Sequence, residues 1–212
     1  ALFLPGGFSN GDEPDGSGKF IAIFLRSPAA RSAVEGLLEV RGGLILGVCN
    51  GFQALVRTGL LPFGRIVDPD ELGEGSAVLT FNAIGRHQSK IVRSRVLSNR
   101  SPWLSRTRVG DVFAMPVSHG EGRFVCGVAL LRRLAEAGQV ATQYVDLQGS
   151  PTMDVQYNPN GSLAAVEGLL SPDGRIFGRM GHAERVGDGL YQNAGRTGGT
   201  MMFESAMDFL LG

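Results

Sequence analysis

The chain has 212 residues, and its 20 basic and 20 acidic side chains cancel. That length suits one sizeable domain around a single core, the balanced charge lacks the cationic footprint of a nucleic-acid binder, and no apolar stretch approaches the roughly 18 uninterrupted residues of a membrane helix. Two cysteines, Cys49 and Cys126, offer no disulfide framework, and with no signal-peptide layout at the start they point to a soluble protein of a reducing cytoplasm.

In chain order, Ala1-Leu2-Phe3-Leu4 reads as an apolar strand running straight into a Pro5-Gly6-Gly7 turn. With no initiator methionine before it, the chain reads as one domain over 1–212, cut inside its N-terminal part. Ser27-Pro28 is an N-cap followed by proline at the first helical position, and Val34, Leu37 and Leu38 recur at helical spacing before Gly42. The continuous apolar run 44–48 is the pattern of a strand buried on both faces, and 50–58 reads as a helix closed by Gly59. Cys49 therefore sits at a strand-to-helix turn. Between 78 and 125 short β-type runs alternate with turns, at 77–81, 91–92 and 111–115. Residues 126–137 read as a helix closed by Gly138, and 140–145 as a strand. Asn158-Pro159-Asn160-Gly161 is a turn, 163–169 and 176–178 form a hairpin around Pro172-Asp173-Gly174, and a last helix covers about 201–211. The scattered glycines, 32 in all, supply tight turns. The fold expected is α/β: a mostly parallel open sheet with helices on both faces and a small antiparallel hairpin, with the site beyond the carboxyl ends of the strands.

The sharpest chemical signal is Gly47-Val48-Cys49-Asn50-Gly51-Phe52-Gln53. A free cysteine is most often a small buried hydrophobe. Here, glycines two residues to either side remove Cβ atoms that would clash in a strained elbow, and a helix start behind the sulfur favours its thiolate and should lower its pKa. A thiol needs an acid-base partner to protonate the leaving amine and later activate water. In Gly181-His182-Ala183-Glu184, alternate residues of an extended segment project to one side, so Glu184 can fix the tautomer of His182. The side-chain-free turn Pro5-Gly6-Gly7-Phe8 can bring backbone N–H groups close to an oxyanion, beside the N–H of Asn50. Cys126 lacks flanking glycines and reads as core or helix start, Trp103 as a loop anchor, and the arginines at 86, 93, 95, 100, 106 and 108 as an exposed or interface face. His87 reads equally as a docking contact or a solvated loop residue. No His/Cys/Asp/Glu set has metal-ligand spacing, so no metal is expected.

Taken together, Pro5-Gly6-Gly7, the Cys49 elbow and His182-x-Glu184 resemble the class I glutamine amidotransferases, whose fold is flavodoxin-like. Gly6-Gly7-Phe8-Ser9-x-Gly11-Asp12, Cys49-Asn50-Gly51-Phe52-Gln53, Ser118-His119-Gly120-Glu121-Gly122-Arg123-Phe124 and Asn158-Pro159-Asn160-Gly161-Ser162 are similar, in order along nearly the whole chain, to the amidotransferase domains of phosphoribosylformylglycinamidine synthases. The stretch 12–18 resembles the form in which this domain ends one long polypeptide. The resemblance implies that Cys49 forms a γ-glutamyl thioester, His182 shuttles the proton and Glu184 holds the ring. It implies oxyanion contacts from Gly7, Phe8 and Asn50, and a glutamine pocket lined by Gly6, Gln53, His119, Gly120 and Glu121. Ammonia would pass to a synthetase domain of the same or another polypeptide, where ATP and magnesium are expected; no cofactor is expected in this chain, and neither nucleic acid nor membrane is a partner. Two departures stand out. The family usually flanks its histidine with prolines where this chain has Gly181 and Ala183, and the family's domain opens with a further strand and helix before the position of Ala1. Two alternatives remain at this point: another cysteine hydrolase on the same elbow, and a non-catalytic docking module of a larger enzyme.

Overall fold

The structure is a computed structural model describing residues 1–7, 16–187 and 189–212. Phe8 and the rest of the motif up to Asp15 lie outside the described residues. In chain order the elements are β1 (Leu2–Leu4), α1 (Lys19–Arg26), α2 (Pro28–Glu35), β2 (Ile45–Val48), α3 (Asn50–Thr58), the single turn α4 (Leu60–Phe63), β3 (Val78–Phe81), β4 (Gln88–Val96), β5 (Val112–His119), β6 (Glu121–Val125), α5 (Val128–Glu136), β7 (Val140–Tyr144), β8 (Val166–Leu170), β9 (Ile176–Arg179) and α6 (Gly199–Leu211). No helix among the described residues is long and apolar enough to cross a membrane.

Seven strands form one sheet in the order β1-β2-β9-β8-β7-β4-β5, and β3 pairs with β6 in a separate antiparallel ribbon. The α/β class is as expected, but the sheet is mixed. Only β1, β2 and β9 run parallel, while every pairing from β9 to β5 is antiparallel. The cause lies in the connections. A parallel pair needs a long crossover, which α1 and α2 supply between β1 and β2, whereas β8 and β9 are joined by the short Ser171–Arg175 turn and must reverse. The expected hairpin is therefore real, but it is built into the main sheet rather than standing apart from it.

Strand β2 is buried along its whole length, as its unbroken apolar run requires. It packs with Phe52, Leu55 and Val56 of α3, Leu169 and Leu170 of β8 and Phe177 of β9 in the larger core. Each such side chain is stabilising by about 1.5–3 kcal/mol when fully buried. A second cluster around Val92, Phe113, Met115, Val117 and Tyr144 fills the antiparallel end. Helix α1 was not anticipated, the pattern of its run Phe20-Ile21-Ala22-Ile23-Phe24-Leu25 having suggested no element; Ala22 and Leu25 face the core and Phe20, Ile23 and Phe24 face outward. Ser27 precedes α2 as expected, but its hydroxyl donates to Phe24 O at the end of α1 instead of capping α2.

Candidate active site

Cys49 stands between β2 and α3 with φ 51° and ψ −106°, a left-handed backbone that a non-glycine residue adopts only under constraint. Its N–H donates to Arg179 O at 2.8 Å and its carbonyl receives the N–H of Gln53 at 3.0 Å, so both neighbouring elements clamp the bend. The flanking glycines earn their place through close approach. A Cβ on Gly47 would lie 2.8 Å from the Gly51 backbone, and one on Gly51 would lie 2.0 Å from Leu4 O.

His182 follows β9 and is buried; Glu184 sits in the following 3₁₀ turn, Ala183–Arg185. Glu184 Oε1 is 2.6 Å from His182 Nδ1. This places the ring proton on Nδ1 and leaves a lone pair on Nε2, which has no hydrogen-bond partner among the described residues. Burial works against the charge of Glu184, but the hydrogen bond with His182 and the nearby Arg185 outweigh it and hold the carboxyl below its usual range.

Gly6 brings the thiol and the imidazole together. A Cβ there would lie 2.4 Å from His182 Cε1 and 3.1 Å from Cys49 Cβ, so the two side chains flank one bare backbone position and are separated by no more than the sum of those distances. The described hydrogen bond of the sulfur is to Ser118 O at 3.9 Å. One expectation needs correcting: the thiol is not acidified at rest. Burial pushes its pKa up to about 11, outweighing the Asn50 N–H and the Arg185 charge that pull it down. The helix start acts in the expected direction, but desolvation is the larger effect.

Of the other anticipated residues, those among the described ones stand on β1, α3, β5 and β6 or the turns next to them. Gly6 and Gly7 follow β1, and Asn50 opens α3. Gln53 is buried one turn along, its Nε2 donating to Glu121 O at 2.5 Å, while Glu121 Oε2 accepts the N–H of Ser17 at 2.9 Å. His119 ends β5 and Gly120 turns the chain into β6. Asn82 donates its amide N–H groups to His119 O and Arg86 O, so its Oδ1 must accept from His119 Nδ1 at 3.2 Å. His119 Nε2 is then an acceptor, buried and without a partner among the described residues. Burial, aided by the charges of His87 and His182, pulls the pKa of His119 down to about 4, which keeps the ring neutral. Among the described residues no group of three or more His, Cys, Asp or Glu side chains could hold a metal ion.

Several contributors escape sequence reasoning. Asn82 orients His119, and Ser118 offers its carbonyl to Cys49 and its hydroxyl to His87 Nε2 at 3.0 Å. Asn160 donates to Gly122 O and Tyr144 Oη, tying the Asn158-Pro159-Asn160-Gly161 turn to the pocket strand β6. A motif match marked that turn, but nothing in spacing said what it braces. Trp103 anchors its loop through Nε1 to Arg175 O, as expected. Arg93 and Arg95 bind carbonyls of the 146–149 loop, and Arg106 clamps Glu204 and Asp208 of α6.

The model of the CobB/CobQ-like glutamine amidotransferase domain matches residues 1–210. The phosphoribosylformylglycinamidine synthase subunit PurQ of Symbiobacterium thermophilum is 34% identical over 212 residues, covering 100% of this chain and 80% of its own. That of Gloeobacter violaceus is 37% identical over 202 residues, 95% of this chain and 76% of its own. The solved structure of PurLQS from Thermotoga maritima superposes with a TM-score of 0.68 at 29% identity, covering 98% of this chain and 78% of that one. A family match over residues 1–210, on a chain whose thiol and imidazole meet at Gly6, makes this chain a member of the CobB/CobQ-like glutamine amidotransferase domain family.

Proposed function

We propose that the chain hydrolyses the side-chain amide of glutamine and delivers the ammonia to a synthetase domain, which uses ATP to convert formylglycinamide ribonucleotide to its amidine in purine biosynthesis. The observation that carries this reading is the gathering at Gly6 of a thiol on a positive-φ elbow and an imidazole held by a carboxylate at 2.6 Å. The PurQ relatives support the choice of pathway.

His182 Nε2 takes the proton from Cys49 as the sulfur adds to the amide carbon. With the resting thiol pushed up to about 11, this transfer accompanies attack, and no standing thiolate precedes it. The carbonyl oxygen becomes an oxyanion facing the N–H of Asn50, at the positive end of α3, and the N–H of Gly7, with a contact from Phe8 implied by the family resemblance alone. His182 returns the proton to the departing nitrogen, which leaves as ammonia, and a γ-glutamyl thioester remains. Water then gives a proton to Nε2 and attacks the thioester carbon; the sulfur leaves, recovers the proton, and glutamate is released. Glu184 keeps Nδ1 protonated throughout and stabilises the imidazolium formed in each half-reaction. Gly6, Gln53, His119, Gly120 and Glu121 line the glutamine pocket, with the free lone pair of His119 Nε2 suited to accept from the substrate's amino group.

Replacing Cys49 by Ser in the intact enzyme tests this: glutamine-dependent synthesis should be lost while ammonia-dependent synthesis survives. Equal loss of both would refute the role of the thiol.

A further inference from the structure

Two buried charged side chains have no part in the chemistry above. Glu167 on β8 is fully buried and Arg179 ends β9; Arg179 Nη2 lies 2.9 Å from Glu167 Oε2 and its Nε 3.3 Å from Oε1. The carboxylate is fully engaged. Oε2 also accepts from Ser94 Oγ at 3.0 Å and Thr142 Oγ1 at 2.5 Å, and Oε1 accepts the backbone N–H of Gly181 at 2.7 Å. Burying such a pair is expensive, and exchanging it for well-packed apolar side chains is often neutral or stabilising. Stability alone therefore gives no reason for it.

Its connections do. Along four successive residues every one is tied: Arg179 O accepts from Cys49 N, Met180 N donates to Glu167 O, Gly181 N donates to Glu167 Oε1, and His182 N donates to Pro116 O at 2.9 Å. The segment thus runs from the nucleophile's partner to the base, and Glu167 supplies two of its four anchors. Gly181 permits the approach, because a Cβ there would stand 2.1 Å from Met115 Sδ and 3.0 Å from Glu167 Oε1. A glycine beside the base would otherwise leave the backbone loose.

We infer that Glu167, held by Arg179, is a positioning residue that sets His182 against Cys49 by pinning the backbone of Gly181. The inference rests on the function proposed above. Burial opposes ionisation of Glu167, and Arg179, Thr142 and the Gly181 N–H together hold its carboxyl below the usual range, in keeping with a permanent anionic anchor.

The test compares two uncharged pairs in the full polypeptide or complex. Glu167→Met with Arg179→Met removes the acceptor for Gly181, whereas Glu167→Gln with Arg179→Met keeps an oxygen there; neither leaves a buried charge unpaired. Glutamate release and capture of Cys49 by 6-diazo-5-oxonorleucine are measured on the parent and both variants, with thermal melts as folding controls. The Met/Met pair should lose about 10- to 100-fold in kcat, as a displacement of order 1 Å would cause, with KM for glutamine unchanged and capture slowed in proportion. The Gln/Met pair should recover most of that loss. Should Met/Met fail to fold, Glu167→Ala with Arg179→Met takes its place. Equal kcat in the two folded variants, or a loss confined to KM, overturns the positioning role. A parent that neither releases glutamate nor is labelled at Cys49 sinks the proposed function itself, a different outcome from an active parent whose variants match each other.

Discussion

Gly6→Ala is the smallest change that should separate nucleophile from base. The added Cβ would lie 2.4 Å from His182 Cε1 and 3.0 Å from its Nδ1. Non-bonded carbons prefer about 3.5–4.0 Å, so the ring or the Gly6 backbone must retreat by about 1 Å. The ring is not free to do so. It is buried, and its Nδ1 is committed to Glu184 at 2.6 Å. Retreat of the backbone would instead disturb the packing of Leu4 O on Gly51, which already allows no Cβ. A misplacement of that size costs about 100-fold in rate, equivalent to about 2.7 kcal/mol of transition-state stabilisation. Steady-state glutamate release should show that loss in kcat, whatever the added methyl does to KM at this wall of the pocket, and ammonia-dependent synthesis should persist. A folded Gly6→Ala protein with kcat close to that of the parent would refute the idea that this glycine exists to let the two side chains meet.

Further outcomes follow from the same geometry. Glu184→Gln should lower kcat by at least about 100-fold, since a carboxamide can turn its NH₂ to Nδ1 and move the ring proton onto Nε2; activity near that of the parent would show that Glu184 does not set the tautomer. Alkylation of Cys49 by iodoacetamide without glutamine should rise about tenfold per pH unit to beyond pH 10, because burial pushes the thiol to about 11; a plateau below pH 9 would contradict that burial. The same shift has a sign for stability: the fold favours the neutral thiol, so its contribution is complete below the unfolded chain's value near 9 and is lost as pH rises through about 11. Asn160→Ala leaves Tyr144 Oη without this donor and Gly122 O with only the longer bond from Ser162 Oγ at 3.3 Å, and should destabilise the protein by about 2 kcal/mol in urea unfolding; an unchanged midpoint would refute that bracing role.

How much was legible before any coordinates depends on the range of the interaction. The elbow was readable because its requirements are local: a buried apolar strand, a helix start, and glycines where the turn admits no Cβ. The His182–Glu184 pair was readable from its two-residue spacing, although the contact is made across the 3₁₀ turn Ala183–Arg185 and not along the extended segment expected. Helix α1 was missed because its apolar run satisfies strand and helix patterns alike, and only the packing of Ala22 and Leu25 decides between them. The parallel character was overextended because strand direction follows from which strands end up adjacent, and β9 joins β2 from far along the chain, Ile45 pairing with Ile176, 131 positions later.

The sequence by itself determined the family, the Cys49 elbow and the His182–Glu184 pair proposed to act there, and the turns that present them, since each is written within a few residues. Only the tertiary structure decided that Gly6 stands between Cys49 and His182, that burial raises the thiol's pKa instead of letting the helix lower it, and that Glu167 reaches across from β8 to Gly181. These three depend on desolvation and on distances between strands that are far apart in the chain, quantities that exist only once the sheet has assembled.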